Sequence, residues 1–219
     1  MNSPLLQLLV LAGIAVFLIL RLKSVLGTRD GFEKPNAPAT ERSLARRPEF
    51  EVIEGGLDED ITDHVPENSD AADALARMKS IEPQFGVADF LSGARGAYEM
   101  ILMGFEKADM DGLKPFLAED VYESFLEVIA AREDQGLTVE AEFIGVRDLS
   151  LVDATYDEDT GMAEVTVRFV GELTSVVRDS EGNIVEGSPS EVRRQKDVWT
   201  FGRVMGSDDP NWQLVATGE

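Results

Sequence analysis

The sequence contains no cysteine. Disulfides, thiol nucleophiles and cysteine-based metal sites are therefore excluded. A lipoprotein anchor, which requires a cysteine, is excluded too. Histidine is nearly absent: His64 is the only one, and it sits in an acidic stretch far from any predicted core. No serine stands in an elbow context to complete a triad. No glycine-rich phosphate loop follows a strand. Basic residues are scarce as well. Lys and Arg total 20 against 42 Asp and Glu, a formal charge of -22. Phosphates would be repelled rather than neutralised by such a chain, so nucleic acid is not an expected partner. Asp157-Glu158-Asp159 lacks the ligand spacing of a calcium loop and reads as a hairpin turn. These absences leave no catalytic residue, no metal and no cofactor to assign.

Hydrophobic residues are concentrated at the start of the chain. Leu5 to Leu22 is almost unbroken apolar sequence, with Gln7 its one polar residue before Arg21. As a helix it spans roughly 27 Å at about 1.5 Å per residue, close to the hydrocarbon thickness of a bilayer. A cleaved signal peptide would need positive charge before the run and a small-x-small site after it. Residues 2–4 are Asn-Ser-Pro, and the run ends in Arg-Leu-Lys. Residues 1–22 are accordingly expected to be an uncleaved transmembrane anchor. Basic residues flank its C-terminal side at Arg21, Lys23, Arg29 and Lys34, then Arg42, Arg46 and Arg47. The positive-inside rule puts the following domain on the cytoplasmic side of an inner membrane, with the N-terminus outside. In a mitochondrion the equivalent side is the matrix.

Residues 23–84 read as a basic-then-acidic disordered linker. Pro35, Pro38, Pro48 and Pro66 interrupt helical pattern. Residues 48–76 carry acids from Glu49 to Asp73 and no Lys or Arg. One reading is a solvated, self-repelling tether. Another is that the basic part sits on anionic lipid while the acidic part pushes the domain away. About 60 residues of flexible chain give a reach on the order of 40–50 Å. Leu75, Met78 and Ile81 fall at helical spacing within it.

The folded domain is expected over 85–219. Val87, Phe90, Leu91, Ala94, Tyr98, Ile101, Leu102 and Phe105 recur at steps of three and four, which predicts one long amphipathic helix. Asp89 suits its N-cap or first turn. Gly93 and Gly96 inside it suggest close helix packing. Leu113 to Leu117 predicts a short helical piece, and Glu119 to Glu133 another helix with Val121, Tyr122, Phe125, Val128 and Ile129 on its apolar face. Gly136 is the expected stop. The period then changes to two. Leu137 to Phe143 alternates, Asp148 to Tyr156 continues that strand or forms a second, and Ala163 to Phe169 alternates again. Asp179 to Asn183 is a turn. Glu191 to Val204 and Trp212 to Ala216 are the last strands. Helices followed by four or five antiparallel strands define an α+β fold, with the helices across one face of a curved sheet.

Six aromatics fall at predicted core positions: Tyr98, Phe105, Tyr122, Phe125, Trp199 and Trp212. They pack the core, or they line an apolar pocket left between helices and sheet. An acid–base site in such a pocket would draw on Tyr98, Tyr122 or Glu99, none with an obvious partner.

Residues 90–125, FLSGARGAYEMILMGFEKADMDGLKPFLAEDVYESF, and 197–219, DVWTFGRVMGSDDPNWQLVATGE, carry a resemblance. They are similar to the opening helices and closing hairpin of the C-terminal domain of translocase-of-the-inner-membrane subunit 44. The resemblance implies a cone like that of nuclear transport factor two, with helices on a curved antiparallel sheet around a large apolar pocket. It also implies non-enzymatic adaptor work at an inner membrane, with lipid and translocase or chaperone components as partners. Two features depart from the mitochondrial pattern. A transmembrane helix is expected, and it stands in place of a long chaperone-recruiting region. Both look like bacterial, membrane-anchored relatives of the family. The expectation is a membrane-anchored adaptor that holds a partner or client protein, linked to protein translocation or membrane-complex assembly. The alternatives are a lipid or hydrophobic ligand in the cone pocket and, further off, an isomerase- or hydratase-type enzyme.

Overall fold

The computed structural model describes residues 58–218. The expected anchor and most of the expected linker lie outside the described residues. Among the described residues no helix is long and apolar enough to cross a membrane.

Order begins earlier than the proline and charge pattern suggests. A helical turn, α1, covers Glu59–Thr62, and α2 covers Asp70–Ile81. Ile61, Val65, Ala71, Ala72, Leu75 and Met78 are all buried in the main core. The expectation of a disordered linker up to residue 84 is corrected here. The acids that made this stretch look disordered serve as caps and ion-pair partners. Ser69 Oγ accepts from the Ala72 N–H and caps α2. Asp60 caps a helix 27 residues away. Its two carboxylate oxygens accept from the backbone N–H groups of Val87 (2.8 Å) and Ala88 (2.9 Å). These open α3, Val87–Glu106, whose own N-cap is Gly86 and supplies no side-chain bond. Lys79 Nζ lies 2.5 Å from Asp58 and 2.6 Å from Asp60, so the cap carries its own counter-ion. Burial alone would raise the Asp60 pKa; the bonds from Lys79, Ala88 and Val87 outweigh it and hold the carboxyl below its usual value.

Asp60→Ala should therefore cost about 1 kcal/mol, the usual worth of a helix cap. Hydrogen exchange should speed up at the Val87 and Ala88 amides. Asp60→Asn, which keeps an acceptor, should lose less. Unchanged exchange at both amides would remove Asp60 from this role.

Beyond α3 come α4, Met110–Leu113, a 3-10 turn at Lys114–Phe116, and α5, Glu119–Asp134. Asp89 falls in the first turn of α3. Gly136 adopts a φ of 63° just after α5, as its stop position requires. Val128 is exposed, so the buried face of α5 is narrower than its periodicity suggests. Gly93 and Gly96 meet no atom within 4 Å of where a Cβ would stand. They lie on the exposed face of α3, and the expectation of close helix packing there is corrected.

Four strands follow: β1, Thr138–Tyr156; β2, Met162–Arg178; β3, Ile184–Val204; and β4, Gln213–Gly218. They form one antiparallel sheet in sequence order. The segment after Asp148 continues β1, and three register shifts along the β1–β2 ladder bend the strand. Asp157-Glu158-Asp159 begins the β1–β2 turn, where Asp157 Oδ1 accepts from the N–H groups of Asp159 and Thr160.

On β2, Ala163, Val165, Val167, Phe169, Gly171 and Leu173 are buried. Their alternation gives the sheet one dry face, on which the helices lie. The dry face fades along β3, whose residues from Ile184 to Lys196 are exposed or half-buried.

Candidate functional site

The centre of the dry face is Tyr98. Its ring is fully buried and stacks on Phe169 at 4.4 Å between centroids, with an interplanar angle of 7°. Trp199 packs beside it at 4.7 Å. The ring fits because residue 171 is glycine: a Cβ there would stand 2.7 Å from the Tyr98 oxygen. Tyr98 Oη donates to Asp197 Oδ2 at 2.5 Å, and Gln195 Nε2 donates to Asp197 Oδ1 at 3.0 Å. Both oxygens of this buried carboxylate therefore have a donor. Burial, and then the Asp197 carboxylate, push the Tyr98 phenol far above its ordinary value. The hydroxyl keeps its proton at any physiological pH.

A cleft of about 170 Å³ opens beside this centre. Its floor is Asp197, Trp199 and Gln195 on β3. Its walls are Ile101, Leu102, Phe105 and Glu106 of α3, with Phe125 of α5 and Thr217 of β4. Phe105 and Phe125 meet at 4.5 Å. The Arg132 guanidinium sits 4.5 Å from the Phe105 centroid, and its Nη1 lies 3.2 Å from Glu106 Oε2. Burial raises the Glu106 pKa despite the opposing charge of Arg132. The cleft is apolar on its aromatic side and ionic at its rim.

The six aromatics singled out from sequence do not converge on one pocket. Phe105, Phe125 and Trp199 line the cleft. Tyr98 lies in the core beneath them. Trp212 stands apart with Phe90 at 4.8 Å and Phe85 at 5.9 Å. Tyr122 is half-buried with Lys114 Nζ 5.5 Å from its ring. Glu99 is exposed on α3 and does not enter the cleft. Of the polar residues of the site, Glu106 and Asp197 fall inside the two family-like blocks without being singled out there, and Arg132 and Gln195 lie outside them. Asp197 was still within reach: Trp199 and Phe201 mark one face of β3, and period two puts residue 197 on that face.

A second polar centre lies at the other end of β3. Arg203 is buried, with Nη2 against a Glu82 oxygen and 3.4 Å from Met205 Sδ. Its guanidinium lies 5.4 Å from the Trp212 ring centroid. The other Glu82 oxygen accepts from the Gly206 N–H at 2.6 Å. Glu82 thus joins the end of α2 to the turn after β3.

The fold and site together define an α+β domain with a buried tyrosine–carboxylate pair beside a small aromatic cleft. The chain belongs to the Tim44-like domain family, which it matches over residues 71–219. It is 20% identical to the mitochondrial import inner membrane translocase subunit TIM44-1 of Arabidopsis thaliana over 71% of this chain and 34% of that protein. It is 23% identical to the corresponding human subunit, TIM44, over 67% of this chain and 33% of that one. The chain thus spans about a third of the length of these relatives. A solved structure, the intermembrane space region of chloroplast protein ARC6, aligns with 57% of this chain and 94% of its own at 16% identity and a TM-score of 0.37.

Proposed function

We propose that this protein is a non-enzymatic, membrane-anchored adaptor of the bacterial type, holding a partner or client protein at an inner membrane in protein translocation or membrane-complex assembly. The observation that carries the reading is the family match over residues 71–219, given that the full-length relatives are inner-membrane translocase subunits. Residues 1–22 serve as the anchor, with the N-terminus outside and the domain on the cytoplasmic face. Residues 23–57 connect this anchor to the described domain. That confines the domain near the bilayer and raises its effective concentration there. The domain itself is read as a cone like that of nuclear transport factor two.

An acid–base enzyme on this fold needs a buried carboxylate beside a tyrosine. Tyr98 and Asp197 meet that description, which is the observation favouring the enzyme reading. Their bonding argues against it. Tyr98 is sealed in the core, its proton is held more tightly than usual, and both Asp197 oxygens already accept hydrogen bonds. A general base must reach its substrate's proton. At this cleft the lipid-pocket alternative has less support, because about 170 Å³ is below the roughly 300–1,000 Å³ of ordinary ligand pockets.

Photocrosslinking from the exposed Met100 position of the full chain in intact membranes should capture a small set of defined membrane or translocase proteins. A version lacking residues 1–22 should lose them. Background capture alone, or capture unchanged without the anchor, would overturn the reading.

A further inference from the structure

Asp197 is a buried carboxylate without a cation. It is 9% exposed, and its two bonds come from neutral donors, the Tyr98 hydroxyl and the Gln195 amide. Neutral donors satisfy the geometry of a carboxylate but leave its charge uncancelled. Buried carboxylates are ordinarily paired with a cation. Among the described residues no Lys or Arg forms an ion pair with Asp197. Two cations of this region are engaged elsewhere: Arg132 with Glu106 at 3.2 Å, and Arg193, on the same face of β3, with Glu186 at 3.3 Å.

The cleft gives that charge a particular setting. Trp199, Phe105 and Phe125 line it beside Asp197. Aromatic faces attract cations, tryptophan most strongly. A carboxylate has about four lone-pair sites, so Asp197 can still accept beyond Tyr98 and Gln195. These groups together recognise a compact cation on an apolar stem. Calcium and magnesium do not suit them, because such ions take about six or more oxygen ligands and aromatic walls supply none. The volume, about 170 Å³, is small for a whole ligand and suits one long side chain. Lysine meets each condition, with a compact ammonium on a four-carbon stem. A choline or ethanolamine headgroup has the ammonium but brings a phosphate with it. The rim offers that phosphate no free cation, because Glu106 already holds Arg132. A chain of charge -22 repels the phosphate and draws a basic segment.

We propose that this cleft takes the ammonium group of a lysine side chain from a bound protein segment, with Asp197 as its counter-ion, Trp199 as the aromatic face over the charge, and Phe105 and Phe125 against the stem. The inference rests on the reading of this domain as one that holds other proteins, and it names the chemistry of what is held.

The probe is a capped Gly-Ser-Lys-Ser-Gly peptide, added to the full chain in an uncharged maltoside detergent. The chain has two tryptophans. Fluorotryptophan labelling therefore gives one fluorine resonance from the cleft, Trp199, and one from outside it, Trp212. The expected result is a saturable shift of the Trp199 resonance with Trp212 unmoved. Norleucine in place of the peptide's lysine keeps the stem and removes the charge, and should weaken binding about tenfold or more. Asp197→Asn keeps the shape and an acceptor for Tyr98, and should weaken binding of the lysine peptide by a similar factor. An unmoved Trp212 resonance shows that this variant is folded; if it is not, the norleucine comparison decides alone. Glycerophosphocholine, a soluble lipid headgroup, should bind more weakly than the peptide. No shift at Trp199, a norleucine peptide that binds equally well, or tighter binding of glycerophosphocholine would overturn the proposal. Crosslinking in membranes separates this from the adaptor reading. Partners captured from Met100, with a Trp199 resonance that ignores lysine, would sink the cleft proposal alone, whereas no partner from Met100 would sink the adaptor reading.

Discussion

Replacing Tyr98 with alanine should remove about 4 kcal/mol or more of folding stability, the largest loss expected from any single change in this domain. Two terms combine. Truncating a fully buried aromatic costs roughly 3–5 kcal/mol through lost transfer energy and the cavity left behind. The cavity cannot collapse easily, because Phe169 and Trp199 are themselves fixed by the sheet. The second term is electrostatic. Asp197 Oδ2 would lose its donor while remaining buried, and an unsatisfied buried acceptor costs about 1–3 kcal/mol. Tyr98→Phe isolates that second term, since it keeps the ring and removes only the hydroxyl. Urea unfolding followed by tryptophan fluorescence measures both. A Tyr98→Phe loss under about 0.5 kcal/mol would mean that the hydroxyl–carboxylate bond is not formed in solution. The pH dependence gives a second check. The folded phenol has a raised pKa, so its contribution is complete below the unfolded value of 10.0. Above that pH the unfolded chain ionises while the folded one cannot, and stability declines. Tyr98→Phe should lack this alkaline decline.

The second large effect is expected at Arg203. Arg203→Ala should cost about 2 kcal/mol, because it takes the cation from a partly buried Glu82 carboxylate and from the Trp212 ring. Burial by itself would raise the Glu82 pKa. The Gly206 N–H and Arg203 outweigh burial and hold the carboxyl below 4.5. A carboxyl with a depressed folded pKa contributes stability above its unfolded value, and loses it as pH falls through the folded value. The wild-type chain should therefore lose this contribution below about pH 4.5, the ordinary Glu value. Glu82→Gln should be less stable at pH 7, and its deficit should shrink below that pH. The difference between the two proteins matters here, because a chain this acidic also changes its overall self-repulsion on titration. A deficit that stays constant from pH 7 to pH 3 would show that Glu82 is not held ionised by these partners.

Both centres show why sequence periodicity reached the fold sooner than the site. The alternation of Ala163, Val165, Val167 and Phe169 is a local consequence of backbone geometry, so it can be read without knowing what lies opposite. The same holds for the steps of three and four from Val87 to Phe105, where only the facing surface is unknown. Tyr98 and Asp197 are 99 residues apart. Nothing local in either sequence neighbourhood predicts the other. Trp212 looked like a companion of Trp199 because both are aromatic and apolar. The sheet separates them, with Trp212 packed against Phe85, Phe90 and Arg203.

The acidic stretch before the domain is the clearest case of tertiary context overriding composition. High charge and a proline argue for disorder when the apolar residues between them seem too few to form a core. Ile61, Leu75 and Met78 need no core of their own, because they complete one supplied by α3 and the sheet. Asp58 and Asp60, which read as solvated charge, are held by Lys79, and Asp60 by two helix-opening amides as well.

The sequence alone determined the properties that local rules and absences dictate. Without cysteine and with one histidine, whole classes of chemistry are closed. With helical periodicity followed by strand alternation, the α+β order is set. Tertiary structure alone decided that residues 61–78 join the domain's core, which aromatics share a cleft, and that the buried tyrosine–carboxylate pair is bonded rather than free. The physical reason is range. Periodicity is written in neighbouring residues, whereas a cap supplied from afar or a buried ion pair exists only after distant segments meet.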